Sequence, residues 1–276
     1  MDSLTLADRC AMKVTGEQLK VLCAIAEAAG REVMAVYASD FESWHKDDAS
    51  PLTEADLRAD AVIRNGLEAA FPNVFILSEE SVSTGQGAAE IFFLVDPLDG
   101  TKEFLRRNDE FTVNIALVQR GGVMAGVVFA PALGKLFYAA RGIGAWVSDL
   151  HGVRRLKVAK YSEGAPLRVI GSRSHSSGAL TDWLARLPYP HELVVAGSSL
   201  KFCRIAEGVA DIYPRFGATS QWDTAAAQCV LEVAGGAVLD LSGERLCYGL
   251  ERPVINPEFV AMSDSRLILL SSVTRG

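Results

Sequence analysis

The sequence predicts a mixed α/β (α+β) fold in which helices and sheets alternate as αβαβα layers. Amphipathic helical patterns open the chain, short apolar strands separated by glycines follow, and helices and strands then alternate again. With 276 residues, 49% of them hydrophobic, the chain can form one large domain or two small ones that share an interface. We expect a single unit, residues 1–276, whose subdomains of residues 1–162 and 163–276 meet at a composition shift near residues 162–166.

Two helices are predicted before the first strand. Thr15 and Gln18 have the spacing of a capping box, and apolar residues then recur at helical intervals. These residues are Leu22, Ile25, Ala26, Ala29, Val33 and Val36. A second helix is expected after Pro51, with Thr53 as its candidate N-cap. Its shared face would contain Leu57, Ala61, Arg64 and Leu67, a pattern that the charge of Arg64 interrupts.

Strands are predicted from residue 74 onwards. Residues 74–77 and 91–95 are short apolar runs, and residues 111–117 alternate in a way that predicts a half-buried strand. Glycines near positions 121, 134 and 142 then predict a meander of strands up to about Val158. The elements predicted after it are strands at 167–170 and 193–196 and helices at 178–187, at 199–207 and from Trp222 to Gly235.

Composition and charge exclude several classes of protein. The net charge of −7 argues against a general nucleic-acid binder, which needs a basic face. Five widely spaced cysteines without a CxxC pair argue against a zinc site or a disulfide framework and favour buried thiols in a reducing compartment. No uncharged run reaches the roughly 20 residues of a membrane span, and the N-terminus lacks the apolar core of a secretory signal. We therefore expect a cytoplasmic protein without an integral membrane segment.

Acidic side chains follow the predicted strands at the points where they end. Glu79 and Glu80 follow one apolar strand, Asp96 and Asp99 follow the next, and Asp223 lies at the start of a helix. Because proline fixes its own φ angle, the turn between Asp96 and Asp99 can direct two carboxylates and one backbone carbonyl to a single point. Hard oxygen ligands in such a cluster suit Mg²⁺, and two such ions can bind a phosphate group between them.

Each of these acids taken alone has an ordinary structural explanation. A Glu-Glu pair is usually a solvated surface feature, an Asp-Pro pair is usually a turn, and Asp223 alone is typical of a helix N-cap. Their joint position after apolar strands or at a helix start favours a metal site. Thr101, two residues after Asp99, places a hydroxyl where it can relay a proton from an activated water molecule.

Three segments resemble the signatures of the inositol monophosphatase superfamily of metal-dependent, lithium-sensitive phosphatases, whose sugar-phosphatase fold has αβαβα layers. They are residues 77–81, residues 96–101 and residues 222–226 with the following Ala234-Gly235-Gly236. Further segments resemble the CysQ-type 3′(2′),5′-bisphosphate nucleotidases of that superfamily: residues 46–53, 100–104, 172–175, 197–202 and 213–217. The resemblance implies hydrolysis of the 3′-phosphate of adenosine 3′,5′-bisphosphate (PAP), a by-product of sulfate assimilation, to AMP and phosphate.

The resemblance also implies roles for individual residues. The carboxylates that would hold two or three Mg²⁺ ions are Glu79, Asp96, Asp99 and Asp223, with the backbone carbonyl of Leu98. Inhibition by Li⁺ is expected with them. Asp56 and Thr101 resemble the pair that activates the attacking water, and Glu79 is expected to help hold that water.

Substrate contacts are implied mainly in the second half of the chain. The backbone amides of Gly100 and Thr101 would bind phosphate oxygens, Asp223 would approach a substrate hydroxyl, and His175 and Lys201 resemble nucleotide contacts. Gly197 would permit a close backbone approach, and Arg215 is a weaker candidate for a phosphate contact. Alternatives remain, because His175 can instead cap a helix and Arg215 can form a surface salt bridge.

Two rival functions stay open at this point. One is an inositol monophosphatase or fructose-1,6-bisphosphatase activity on the same scaffold, because such enzymes share the metal motifs. The other is a noncatalytic metal- or nucleotide-binding regulator, which would not need the hydroxyl of Thr101. The residues before Gly16 are expected either to be disordered or to pack at a homodimer interface. Peripheral association with the inner membrane is a theme of such enzymes, but no basic amphipathic helix supports it in this sequence.

Overall fold

The computed structural model describes residues 13–40, 43–45, 51–81, 89–162, 164–172 and 178–268. Outside these residues lie His175, the stretch 46–50 and the segment 1–12, so the predictions made for them stay predictions. Among the helices of the described residues, none combines the length and apolar content that a bilayer crossing requires.

Two helices cover one face of the first sheet. Helix α1 (Gly16–Tyr37) begins at the predicted capping box, in which Thr15 accepts from the backbone of Gln18 and the Gln18 side chain accepts from the backbone of Thr15. A short hairpin of β1 (Ser43–His45) and β2 (Pro51–Thr53) leads into helix α2 (Glu54–Ala70), whose N-cap is Thr53 as predicted.

The first sheet has seven strands in chain order. They are β3 (Phe75–Ser78), β4 (Ile91–Asp99), β5 (Thr112–Gln119), β6 (Gly122–Ala130), β7 (Lys135–Ala140), β8 (Gly144–Asp149) and β9 (Gly152–Arg155). β3 and β4 are parallel, and every later pair is antiparallel, which confirms the predicted meander. A 3-10 turn (Glu79–Ser81) follows β3, and the short helix α3 (Thr101–Leu105) follows β4.

The second sheet has five strands in the order β11-β10-β12-β14-β13. These strands are β10 (Leu167–Ser172), β11 (His191–Ala196), β12 (Ile212–Arg215), β13 (Ala237–Asp240) and β14 (Phe259–Met262). The helices among them are α4 (Gly178–Arg186), α5 (Leu200–Ala206) and α6 (Gln221–Val233). β12, β13 and β14 were not predicted as strands from the sequence.

The buried side chains form the predicted αβαβα layers. Along β4, Phe93 and Val95 face a core shared with α1 and α2, while Phe92 and Leu94 face a core shared with α5, α6 and the second sheet. A third core lies on the outer face of the second sheet, where Trp183 of α4 is completely enclosed. Helices α5 and α6 therefore form the middle layer between the two sheets.

The predicted apolar face of α2 is wrong. Leu57 is 49% exposed and Ala61 is exposed, whereas the buried positions of this helix are Ala55, Asp56, Ala59, Asp60, Ile63 and Leu67. Two of these buried positions are aspartates, so the buried side of the helix looks polar in the sequence. The charge of Arg64 falls at the edge of that side, where it pairs with Asp60 at 3.2 Å.

The prediction that β5 is half buried is also wrong. All eight of its residues are buried, because α1 and α2 cover one face of the strand and α6 covers the other. The alternation of large and small side chains along β5 arises because its two faces pack in two different cores. It does not indicate a solvent-exposed face. β5 therefore lies in the middle of the layers, next to the strand that ends in Asp96 and Asp99.

Gly126 of β6 sets the distance between the first sheet and α6. A Cβ atom on Gly126 would lie 2.3 Å from the carbonyl oxygen of Ala226 and 2.8 Å from Cβ of Cys229. We expect Gly126→Ala to lower the free energy of unfolding by about 1–3 kcal/mol, because the backbone of α6 must move away. Urea unfolding measures this loss.

The matched control for this substitution is Gly16→Ala, because a Cβ atom on Gly16 would have nothing within 4 Å. Alanine is also the better helix former, so the control should leave stability unchanged or slightly raised. An equal effect of the two substitutions would contradict the close approach of α6 to β6.

Candidate active site

A cavity of about 260 Å³ opens where the ends of β3 and β4 face α5, α6 and β12. Among the residues that line it are most of those predicted from the sequence: Glu79, Asp96, Leu98, Asp99, Gly100, Thr101, Lys201, Arg215 and Asp223. The lining also contains Glu103, Ser172, Tyr213 and Thr224, which were not predicted as site residues. The structure thus brings strand ends from both sheets to one place.

Three carboxylates form the centre of this cavity. Ligand oxygens of Glu79, Asp96 and Asp223 all lie within 4.8 Å of one another. Glu79 comes from the turn after β3, Asp96 from β4 and Asp223 from the first turn of α6. Asp96 is only 1% exposed, whereas Glu79 and Asp223 are half-buried.

Burial and the repulsion of neighbouring carboxylates make the charged forms of Asp96 and Asp223 costly. Burial raises the pKa of Asp96 well above its usual value, and the nearby carboxylates of Glu79, Asp99, Asp223 and Asp56 raise it further. Burial, followed by the charge of Asp99, likewise raises the pKa of Asp223. A positive charge placed among the three groups would reverse this repulsion.

The composition of the cavity fits a divalent cation. Five carboxylates line it, against the three cationic side chains of Lys102, Lys201 and Arg215. The converging donors are all carboxylate oxygens, which are the ligands that Mg²⁺ prefers. A phosphate group would be repelled from this acidic centre unless a cation neutralised it, so the donor set matches a site for a metal ion that also binds phosphate.

The local backbone fixes two of the acids by the same device. Asp56 and Asp223 each occupy the third position of a helix and accept a hydrogen bond from the backbone of the N-cap residue. The bonds run to Asp56 from the amide of Thr53 at 2.7 Å and to Asp223 from the amide of Ser220 at 2.8 Å. Asp223 is therefore a member of a capping box and not the N-cap itself.

Asp96 and Asp99 are directed by an irregularity near the end of β4. The pairing of β4 with β5 shifts between these residues, around Pro97, and the Asp96 carboxylate accepts a hydrogen bond from the amide of Leu98 at 3.0 Å. The Leu98 carbonyl accepts the hydroxyl of Thr101 at 3.2 Å. Gly100 between them has φ of 91°, a left-handed conformation that glycine adopts without strain.

Asp99 lies beside the three-carboxylate group rather than in it, within the described part of the chain. One of its oxygens accepts the backbone amide of Ser199 at 2.5 Å, and the amide of Asn114 lies 3.4 Å from the same oxygen. Ser199 in turn donates to Asn114 at 2.9 Å. Burial raises the pKa of Asp99 to about 6, although Lys201 and the Ser199 amide favour its charged form. The metal role predicted for Asp99 stays a prediction.

Two cationic side chains, Lys201 and Arg215, form another part of the cavity wall. Lys201 is buried, donates to the carbonyl of Ser198 and lies 5.4 Å above the ring of Tyr213. The pKa of Lys201 is lowered to about 8, mainly by burial and also by the charge of Arg215, while the charge of Asp99 opposes the shift. Arg215 donates to the carbonyls of Gly217 and Ala218, so loop carbonyls hold its guanidinium group at the cavity wall.

A second cavity of about 340 Å³ continues from this cationic wall. It shares Ser172, Tyr213, Arg215 and Ala218 with the first cavity. Leu180, Pro214, Phe216 and Gly217 supply the rest of its lining. The sequence indicated the segments 172–175 and 213–217 for this region, but it did not indicate Leu180, which is distant in the chain and reaches the cavity from α4.

Gly197 has a packing environment that the sequence did not indicate. A Cβ atom there would lie 2.7 Å from the carbonyl oxygen of Glu110 and 2.8 Å from Cγ of Glu103. Its amide donates to the Glu110 carboxylate at 2.9 Å. Gly197 is not among the residues that line the first cavity, so its predicted contact with substrate remains a prediction.

Comparisons with known proteins agree with this arrangement. The sequence model of the inositol monophosphatase family matches residues 16–268. The chain is 44% identical over 245 residues to the 3′(2′),5′-bisphosphate nucleotidase CysQ of Salmonella typhimurium, covering 87% of this chain and 98% of that protein. The crystal structure of CysQ from Bacteroides thetaiotaomicron, a bacterial member of the same family, is 32% identical with a TM-score of 0.77, covering 90% of this chain and 98% of that one.

A further solved structure extends the similarity of fold. The extragenic suppressor protein suhB from Bartonella henselae is 26% identical to this chain, with a TM-score of 0.79. That match covers 94% of this chain and 99% of the other.

The raised pKa values of Asp96, Asp99 and Asp223 predict a pH-dependent response to Mg²⁺. These acids bind protons more tightly in the folded chain than in the unfolded chain, where their pKa is near 3.8. The metal-free protein should therefore lose stability as the pH rises from that value through the raised pKa, about 6 for Asp99. Mg²⁺ replaces the protons, so its stabilising effect should grow over the same range.

We expect the rise in Tm caused by Mg²⁺ to be larger by roughly 5 °C at about pH 7.5 than at about pH 5.5. Thermal unfolding followed by circular dichroism measures it, with NaCl of equal ionic strength as the control for screening. A rise that is the same at both pH values would contradict a cation site built from these acids.

Proposed function

The chain belongs to the inositol monophosphatase family, and from this premise we propose that it is a metal-dependent 3′(2′),5′-bisphosphate nucleotidase. The reaction is hydrolysis of the 3′-phosphate of PAP to give AMP and inorganic phosphate. The name of the relative with 44% identity supports this substrate class. A role in sulfur metabolism is part of the proposal, because PAP arises in sulfate assimilation.

The single observation that supports this function best is the polarity of the cavity. Its carboxylates around Asp96 suit a phosphate group that reacts on a metal ion, and its cationic side chains, Lys201 and Arg215, suit a second phosphate group that does not react. The adjoining cavity beside Phe216 offers room for the nucleoside. A nucleotide with phosphates at both ends of its ribose matches this order of features.

Residues for the metal ions follow from these carboxylates. We propose that Glu79, Asp96 and Asp223, with Asp99 and the carbonyl of Leu98, hold two or three Mg²⁺ ions, and that Li⁺ inhibits the enzyme. When bound, such ions lower the pKa of water and neutralise charge on the phosphate. The metal ions thereby offset the repulsion between the substrate and the carboxylates.

The chain's own groups then have separate tasks. Thr101 and Asp56 are proposed to accept and pass on the proton of the attacking water, and the hydrogen bonds from Thr53 hold the Asp56 carboxylate in place for this. The amides of Gly100 and Thr101 are proposed to bind oxygens of the reacting phosphate. Lys201 has three N–H donors, of which Ser198 takes one, and we assign the others to the 5′-phosphate.

Several finer points belong to the same proposal. We place metal binding mainly in residues 1–162 and nucleotide recognition mainly in residues 163–276, with Asp223 as the residue that the second part contributes to the metal site. His175, Gly197 and Arg215 are retained as candidate substrate contacts. A homodimer and a cytoplasmic location are proposed with them.

An inositol monophosphatase or fructose-1,6-bisphosphatase activity is not favoured as the main function. The metal-binding end of the cavity would serve any of these substrates equally well. The relative with 44% identity is a bisphosphate nucleotidase, and the second cavity next to Arg215 provides space that a small sugar phosphate would leave empty.

Release of phosphate from PAP tests the proposed function. With Mg²⁺ present, we expect PAP to be hydrolysed at least tenfold more efficiently than inositol 1-phosphate or fructose 1,6-bisphosphate, with loss of activity in a chelator or in Li⁺. The matched variant is Asp96→Asn, which keeps an oxygen to accept the Leu98 amide but removes the buried charge. It should be folded, at least as stable without metal, and inactive. Normal activity in this variant would refute the metal assignment.

The role of Lys201 predicts a split between two substrates. Lys201→Met should raise the KM for PAP by about 10- to 100-fold, because a charge-assisted contact with the 5′-phosphate is lost. For adenosine 3′-monophosphate, which lacks that phosphate, KM should change by less than about threefold. The exposed Lys157→Met serves as the control. Equal losses on both substrates would remove Lys201 from this role.

A further inference from the structure

We propose that Asp60 and Arg64 are positioning residues for Glu79, which they hold at the metal site by fixing both ends of the turn that carries it. Neither residue lines the cavity, and both lie on α2, one and two helical turns after Asp56. The inference rests on the proposed function, because it assumes that Glu79 is a metal ligand.

The first end of the turn is fixed through Ser78. This serine is the last residue of β3 and is completely buried, and its hydroxyl donates to one carboxylate oxygen of Asp60. Asp60 itself is 9% exposed. A buried carboxylate needs partners, and this one is satisfied by a group directly next to Glu79 in the chain.

The second end of the turn is fixed through Ser81. The Nε atom of Arg64 lies 2.8 Å from the Ser81 hydroxyl, and a second nitrogen of the same guanidinium group contacts that hydroxyl as well. Nε also lies 3.2 Å from the other oxygen of Asp60. Asp60 and Arg64 thus form one hydrogen-bonded unit. It contacts Ser78, the residue before Glu79, and Ser81, the residue after Glu80.

These contacts matter because Glu79 is the central acid that is carried by a short turn. Asp96 belongs to a central strand and Asp223 to the first turn of a thirteen-residue helix, whereas Glu79 lies in a three-residue 3-10 turn. Its carboxylate is repelled by the other two at distances within 4.8 Å. Without restraint, the turn would relieve this repulsion by moving away, and binding a metal ion would then have to restore its position.

The two contacts also relate Glu79 to Asp56. Asp56, Asp60 and Arg64 are spaced by four residues on one helix, so a shift of the helix carries all three together. The positions of Asp56, the proposed proton acceptor, and Glu79, the proposed metal ligand, are therefore both set by α2. Partners that orient ligands in this way commonly change metal affinity by about 10- to 100-fold when removed.

The test compares two arginines of the same helix. Arg64 pairs with Asp60, and Arg58 pairs with Glu54, each across four residues, but Arg58 is not in contact with the turn at Ser81. We expect Arg64→Met to weaken the binding of Mn²⁺ at least tenfold, measured without substrate from the EPR signal of the free ion. Arg58→Met should bind Mn²⁺ as the unmodified protein does.

Kinetics provide the second readout. In Arg64→Met, the Mg²⁺ concentration needed for half-maximal PAP hydrolysis should rise by the same factor, while kcat at saturating Mg²⁺ should stay within about threefold of the unmodified enzyme. Unchanged Mn²⁺ binding would overturn the proposal, and so would a loss of kcat that no Mg²⁺ concentration restores. If the unmodified protein binds no Mn²⁺, the proposed function itself fails, which is a different result.

A second variant keeps the proposal testable if Arg64→Met does not fold. Ser81→Ala removes only the contact at the far end of the turn and leaves the pair of Asp60 and Arg64 intact. It should weaken Mn²⁺ binding in the same direction by a smaller factor, about threefold. Mn²⁺ binding equal to that of the unmodified protein would contradict a role of the Ser81 contact in positioning Glu79.

Discussion

The repulsion among Glu79, Asp96 and Asp223 is the constraint on which the rest of this structure depends. Three carboxylates within 4.8 Å, one of them almost fully buried, oppose folding, so the packing of the surrounding chain must offset their repulsion. Each is attached to a different kind of element: a turn, a central strand and a helix start. These three elements therefore hold the like-charged carboxylates close together, in the arrangement that a cation would bind.

Asp99 connects these carboxylates to the part of the cavity that would recognise a nucleotide. It belongs to β4, and it accepts the amide of Ser199, two residues before Lys201. The same serine reaches Asn114 on β5. A buried polar network of this kind has few alternative arrangements, because each unsatisfied group would be costly. These hydrogen bonds thus join the strand that carries Asp96 to the residue that precedes the helix of Lys201, across the two halves of the chain.

The acids at the ends of β3 and β4 could be predicted from the sequence, because an apolar run that stops at a carboxylate is a local pattern. The buried face of α2 could not be predicted, because Asp56 and Asp60 lie on it. Hydrophobic periodicity assigns charged residues to the exposed face of a helix. The hydrogen bonds from Arg64 to Ser81 and the close packing of Gly197 against Glu103 and Glu110 were not predicted either. These contacts join residues that are distant in the chain, and only the folded structure brings them together.

The close contact of α6 with Gly126 has a consequence for biosynthesis. The helix that carries Asp223 packs on the first sheet, although it is synthesised long after the strands of that sheet. A nascent chain can form the meander of β4 to β9 from neighbouring segments, but its acidic centre stays incomplete until α6 has left the ribosome and docked. The proposed metal site is therefore complete only after α6 has docked, and a chain that ends before this helix would lack one of the three central carboxylates.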